Sequence, residues 1–455
     1  MQTKKTIFIT ISRGSIAKNF LHNEFYEILK KEGWKIIILS PAFSDEVFRK
    51  EFGEENIFFE PLYNHKWNLR DYFFAGLNKA LVYNESTVLR DKYGIMDKSE
   101  TSAMRRILKR IFFKPLSKFG FIKEVIRYID FLFCPGKEYY VFFQKYSPDI
   151  VFSTNPMDDA DSYVLKAAKR FGVKIIAMPK SWDNLSKMSF RVKPEKLFLW
   201  GSGLIKEAKK YQNIDSDDIF VVGIPQFDVY SKPMSSFSRE EFFKKIGVDP
   251  KKEILVLGSD AKYSSTDIEI AEMVRDWINK GELEKDCILF IRPYFSARDG
   301  EKKFEKFLGE KNIIIDHWFK RNNIFRDSWD YSYEHMEYFS ALMMQMTIMM
   351  NYSSTLTIDA AVCDKPIVGI AFDGYKKKEY GSSVARWYDS THFKPIVASG
   401  GIEIVKSPNE LKIAINGYLK NSTLRSEGRE KLRNNFCYKV DGQSGKRIAE
   451  ALISL

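Results

Sequence analysis

Asn351 to Pro366 reads NYSSTLTIDAAVCDKP. It follows the apolar run MTIMM, which begins at Met346, and leads into PIVGIAF, which begins at Pro366. Neither run alternates with polar residues, so each reads as a strand buried on both faces, and the sheet as parallel. Between them lies a turn of small hydroxyl residues and a short helix beginning near Thr355. Ala360 and Ala361 let that helix pack close to the sheet. A helix start presents free N–H groups and a partial positive charge. Ser353, Ser354 and Thr355 add hydroxyl donors, which suits a phosphate. Ser and Thr are also favoured helix caps, and the pattern alone leaves both roles open.

The same rhythm extends in both directions. Strand-like runs start at Thr6 (TIFITI), Lys35 (KIIILS), Asp149 (DIVFST), Lys174 (KIIAMP), Lys196 (KLFLWG) and Asp218 (DIFVVG) in the first half. In the second half they start at Glu253 (EILVLGS), Cys287 (CILFIRP), Asn312 (NIIID), Met346 and Pro366. Helical patterns such as Ser15 to Lys31, Asp161 to Phe171 and Thr266 to Lys280 fill the gaps. The expectation is an α/β chain of two Rossmann-like domains with parallel sheets facing a cleft. The rhythm pauses at Gly223 to Phe237, rich in Pro and Ser, and this is read as the boundary. The first domain is then 1–226, with a basic aromatic insertion at about 67–145. The second is 237–442, followed by a last helix, 443–455. A second, polar and aromatic insertion runs from Trp318 to Tyr333.

With 455 residues the chain is long enough for two cores. Charged residues at 29% and hydrophobic ones at 44% exclude a disordered chain. A net charge of +12 favours anionic partners. No stretch approaches a spanning helix and no secretory leader is read, so a cytoplasmic protein is expected, with a possible peripheral place on the inner membrane face. The segment RRILKRIFFKPLSKFGF from Arg105 could lie on an anionic membrane, or form an ordinary helix with a solvated basic face. Cys134, Cys287, Cys363 and Cys437 lack zinc or redox spacing, and the five histidines lack metal spacing; no metal and no cofactor is expected. No nucleic-acid-binding fold accompanies the charge.

Ligands of open α/β sheets bind beyond the carboxyl ends of the strands. In the second half those ends carry Gly258, Ser259 and Arg292; the glycine permits close backbone approach and the guanidinium can grip a phosphate. In the first half, Asp158 follows DIVFST, and Trp182, Asp183 and Asn184 follow KIIAM. A carboxylate in a partly desolvated cleft gains proton affinity and can act as a base, so Asp183, then Asp158, are the catalytic candidates. Arg13 in the first turn and His65 are candidates for acceptor contacts, with Trp182 and Asn184. A full GxGxxG is absent, so no dinucleotide is indicated.

SWDNL at Ser181, LFLWG, VVGIPQFD at Val221 and YSSTLTIDAAVCDKPIVGIAFDG together resemble bacterial GT-B glycosyltransferases of surface-carbohydrate synthesis. Among these, the nearest groups are the CDP-glycerol glycerophosphotransferases and the UDP-GlcNAc 2-epimerase-like proteins. The resemblance implies a nucleotide-sugar donor on the second domain, with its diphosphate at Ser353, Ser354 and Thr355. Asp359, Gly258, Ser259 and Arg292 would line the same pocket. It also implies a last helix crossing back to the first domain, metal-independent catalysis, and a glycan or lipid-linked acceptor. Ser-Ser-Thr replaces the Ser-Gly-Gly turn of the epimerases, which counts against epimerisation, and the spaced Glu pair of many retaining enzymes is absent. Polyol-phosphate transfer from a CDP-linked donor and a non-catalytic carbohydrate-binding or scaffold role are the alternatives.

Overall fold

The computed structural model describes residues 5–94, 102–231, 238–260, 266–295 and 300–455. The end of the expected boundary, 232–237, lies outside them. Among the described residues the chain forms two wholly parallel sheets. The first has seven strands: β1 (Thr6–Thr10), β2 (Lys35–Ser40), β3 (Ile57–Pro61), β4 (Ile150–Ser153), β5 (Lys174–Ala177), β6 (Lys196–Leu199) and β7 (Ile219–Val221). Their order is β3-β2-β1-β4-β5-β6-β7. The second has β8 (Glu253–Gly258), β9 (Cys287–Arg292), β10 (Ile313–Ile315), β11 (Ile348–Asn351), β12 (Ile367–Ile370) and β13 (Glu403–Val405). Here the order is β10-β9-β8-β11-β12-β13. Both are Rossmann-like: the strands cross over from the centre, and the central ones are buried on both faces.

Every apolar run named above is a strand. Two strands, β3 and β13, were not expected. Both lie at sheet edges and are only partly buried, so neither carries the continuous apolar run that marks a central strand. Ser15 to Lys31 is also two helices rather than one, Gly14–Leu21 and Glu24–Lys31. Asn23 breaks it by turning its side chain to the backbone: Oδ1 accepts from Phe25 N at 3.1 Å and caps the second helix.

The last helix, Ser444–Ser454, crosses back onto the helix Glu24–Lys31 of the first half. Its start is held by one buried carboxylate. Asp228 accepts from Ser444 N (2.9 Å), Gly445 N (2.8 Å) and Asn23 Nδ2 (3.0 Å). Gly445 is needed here, because a Cβ would lie 1.5 Å from Asn23 Oδ1. The Trp318–Tyr333 segment joins the halves on the other side. Tyr331 and Phe325 pack edge-on against Phe48, with ring centroids 5.4 and 5.9 Å away. Asp228→Ala would strand two amides and an amide side chain in a dry site. Losing charged hydrogen bonds of this kind is expected to cost about 3 kcal/mol in urea unfolding. A loss below ~1 kcal/mol would show that the helix start is not fixed by this carboxylate.

Candidate functional site

The carboxyl ends of strands from both sheets open on a cavity of about 450 Å3 between the halves. The segments after β1, β5, β6 and β7 supply one wall and those after β8, β9 and β11 the other. The volume suits a small-molecule ligand. From the residues expected in the site, the cavity gathers Asp183, Asn184, Ser259, Arg292, Ser354, Thr355 and Asp359.

On the second-half wall, Ser354 and Thr355 lie in the turn after β11. Thr355 occupies the cap position of the helix Leu356–Val362 but makes no side-chain capping bond. Ser354 Oγ instead accepts from Leu356 N at 3.3 Å. Arg292 ends β9 and is 4% exposed. Its Nη1 donates to Asp316, which burial pushes up and the guanidinium draws down. Its Nη2 has no partner among the described residues. The guanidinium stacks over Phe339 and Phe295, at 4.4 and 4.9 Å. Asp359 is buried, which raises its pKa, and accepts from Tyr230 Oη at 2.8 Å and Gln226 Nε2 at 3.1 Å. Those two residues follow β7, so Asp359 reads the position of the first half. Ser259 N donates to Arg292 O (2.9 Å) and its hydroxyl to Asp267 (2.6 Å), fixing this strand end.

On the first-half wall the structure adds a residue that sequence reasoning missed. Lys18, on the helix Gly14–Leu21, is 5% exposed and lines the cavity. Its ammonium lies 5.6 Å from the ring centroids of both Trp329 and Phe339. Burial, then the nearby Arg292, lowers its pKa to about 8, against the opposing pull of Asp359, Asp330 and Asp327. The signal was present: Lys18 interrupts the buried face of Ile16, Ala17, Phe20 and Leu21. Asp327 was missed too. Its carboxylate crosses from the second insertion to accept from Gly14 N (3.1 Å), Ser15 N (3.3 Å) and Ser15 Oγ (2.8 Å). It thereby occupies the positive end of the first helix, the place where this fold would otherwise hold an anion. Lys180 Nζ stands 4.0 Å from it.

Other expectations need correction. Asp183 lines the cavity but is a poor base. Despite desolvation, the paired Lys187, then His392, hold its pKa down at about 2. Asp158 caps the helix Asp159–Phe171, accepting from Ala160 N at 3.2 Å, and pairs with Arg13. Neither Asp158 nor Arg13 lines the cavity between the sheets. Asp158 and His65 border a separate hollow of about 480 Å3, with Trp67 and Tyr72. There His65 Nε2 sits 3.1 Å from Asp71. Trp182 is 2% exposed and cannot meet a ligand; it wedges against His392, Phe393 and Phe436 of the second half. Gly258 does not line the cavity either. A Cβ there would lie 2.6 Å from Leu356 Cδ1, so the glycine leaves room for the side chain that opens the helix Leu356–Val362. Ser353 is half-buried beside the cavity, outside its lining.

No protein-family model matches the chain, and no curated protein matches it in sequence. Solved structures match it in fold. The UDP-GlcNAc 2-epimerase from Neisseria meningitidis bound to UDP-GlcNAc aligns with a TM-score of 0.56 at 11% identity, covering 99% of this chain and 100% of that one. The UDP-GlcNAc 2-epimerase from Methanocaldococcus jannaschii gives 0.54 at 14%, with full coverage of both chains. A glycosyltransferase from Rickettsia africae gives 0.52 at 13%, covering 99% of each. The chain therefore has the two-domain GT-B fold of these proteins, with the cavity at the cleft between its sheets.

Lys18 also sets a pH dependence. An unfolded lysine titrates at 10.5. Between about 8 and 10.5 the unfolded chain binds more protons, so stability rises with pH across that window as the charge penalty is relieved. Lys18→Met removes the penalty. The variant is expected to be the more stable by about 3 kcal/mol at neutral pH, and the difference to shrink as the pH climbs through the window. Urea unfolding of both proteins at a series of pH values reads this directly; a difference that stays flat contradicts a desolvated ammonium at Lys18.

Proposed function

We propose that the chain is a nucleotide-sugar-dependent glycosyltransferase, transferring a sugar to a hydroxyl of a cell-surface glycan or its lipid-linked precursor. The observation that carries this reading is the pairing, across one cavity, of the buried Lys18 with Arg292, whose Nη2 has no partner among the described residues, beside Ser354 and Thr355. Burying an ammonium is costly unless an anion comes to it. A diphosphate supplies that charge, and the GT-B fold is shared with structures named for UDP-sugars.

In this reading the donor's diphosphate lies between Lys18 and Arg292, with Ser354 and Thr355 donating to its oxygens. As the bond from the sugar's anomeric carbon to the phosphate breaks, negative charge grows on the departing phosphate, and the fixed cations stabilise it there. Asp183, ionised and held by Lys187, orients the acceptor hydroxyl; as the acceptor oxygen bonds to the anomeric carbon, its proton passes to the departing phosphate oxygen rather than to Asp183. Its neighbour Asn184 donates to it at 3.3 Å and keeps that carboxylate aligned.

Thermal unfolding with UDP, CDP, UDP-GlcNAc and CDP-glycerol tests the donor. A ligand at a hundred times its Kd adds about 2.7 kcal/mol, enough to raise Tm by a few degrees. The rise is expected for one nucleotide family and is expected to vanish in Lys18→Met and to weaken in Ser354→Ala. Silence from every nucleotide would remove the enzyme reading and leave a carbohydrate-binding or scaffold protein. A CDP-selective response with release of CMP would redirect it to polyol-phosphate transfer. Conversion of UDP-GlcNAc without any acceptor would redirect it to epimerisation.

A further inference from the structure

The helix Gly120–Phe133 is inside out. Its buried residues are Lys123, Arg127 and Asp130, which share one face. Asp130 accepts from Lys166 Nζ (2.6 Å) and from Arg191 Nε (2.8 Å). Arg127 donates to Phe190 O and Gln212 O, both at 2.9 Å. The polar face is therefore fully engaged with the first half of the chain. Phe121, Val125, Tyr128, Leu132 and Phe133 point the other way, each more than half exposed. Packing in water drives the opposite arrangement.

The preceding helical run, Ala103 to Leu116, is also exposed. None of its residues is buried. It exposes Met104, Ile107, Ile111 and Phe112 among Arg105, Arg110 and Lys114. Large apolar side chains exposed in this number along one stretch of chain mark a binding surface. At the start of the helix Gly120–Phe133 opens a pocket of about 420 Å3 lined by Gly120 and by Lys114, Lys118, Lys123, Lys209 and Lys210, with no carboxylate among the described residues of its lining. Lys123 is itself 2% exposed, its Nζ donating to Lys210 O at 2.8 Å. Desolvation lowers its pKa to about 8.

The charges decide what covers this face. A second copy laid on it would bring lysines against lysines, a repulsion that opposes association. An anionic bilayer offers hydrocarbon for the apolar side chains and phosphates for the cations in one surface. We infer that the face formed by Ala103 to Leu116 and Gly120–Phe133 docks on an anionic phospholipid membrane, with lipid phosphates meeting its exposed basic residues, Lys114 and Lys118 among them.

Flotation of the intact chain with vesicles tests this. Vesicles of phosphatidylcholine containing phosphatidylglycerol are expected to carry the protein, and pure phosphatidylcholine vesicles to leave it behind. Each basic residue at such a surface is worth about a fivefold change in partition. Lys114→Gln with Lys118→Gln is therefore expected to weaken binding about 30-fold, and added salt to weaken it further. Phe121→Ser with Leu132→Ser is expected to weaken it at least about tenfold. All four side chains are exposed, so folding is not at stake, and nucleotide-dependent stabilisation should be unchanged in both variants. Three results would overturn the inference. They are equal binding to both vesicle types, unchanged binding in either variant, or a dimer in light scattering that Phe121→Ser with Leu132→Ser converts to monomer.

Discussion

The arrangement of the cleft rests on Asp327. Two sheets joined by a short linker can take many relative orientations, and interfaces of this kind usually permit motion. Here a half-buried carboxylate of the second half sits in the amide cradle at the start of the first half's first helix. An anion at a helix start is worth up to about 2 kcal/mol in a partly buried setting. Its reach fixes Trp329 beside Gly14, where no larger residue would fit, since a Cβ would meet Trp329 O at 2.4 Å. Trp329 in turn forms the aromatic lid over Lys18. One interaction thus aligns the sheets and dries the ammonium that faces the ligand space.

The cleft keeps its charges in balance by unequal means. Asp183 is matched by Lys187, Asp327 by amides and Lys180, and Asp359 by a phenol and an amide. Lys18 lies over the rings of Trp329 and Phe339, within the field of Asp359, Asp330 and Asp327 but with no salt bridge among the described residues, and Arg292 spends one of its two terminal nitrogens on Asp316. This surplus of donors, the Lys18 ammonium and the second terminal nitrogen of Arg292, lies at the junction of the two walls. Asp359 links this surplus to the chain that joins the halves, because Gln226 and Tyr230 both reach it. Any hinge motion at the linker changes the hydrogen bonds of a carboxylate within the ligand space.

The central strands were legible because burial on both faces leaves an unbroken apolar run. The edge strands β3 and β13 were not, because an edge needs less apolar surface. The site was legible by the rule that strand ends face the ligand: Ser259, Arg292, Ser354 and Asp183 all follow strands and meet in the cavity. The rule says nothing about which side of a strand end a residue takes. Trp182 adjoins Asp183, yet its ring turns into the contact between the halves. Partners distant in sequence were invisible too. Arg13 meets Asp158 across 145 positions, and Asp327 meets Gly14 across 313. Lys187, four residues beyond Asp183, was in plain view, and its proximity argued against a raised pKa from the start.

The returning helix Ser444–Ser454 bears on how the protein is made. Ile448, Ala449 and Leu452 belong to the same core as β1 and the helix Glu24–Lys31. Domains emerging from a ribosome generally fold in order, the first before the second. Here the part synthesised first cannot complete its core until the helix Ser444–Ser454 has emerged. Its maturation therefore waits on a helix from the far end of the second half. A nascent chain stalled anywhere in the second half would carry an open apolar face near its beginning, a natural target for chaperone binding.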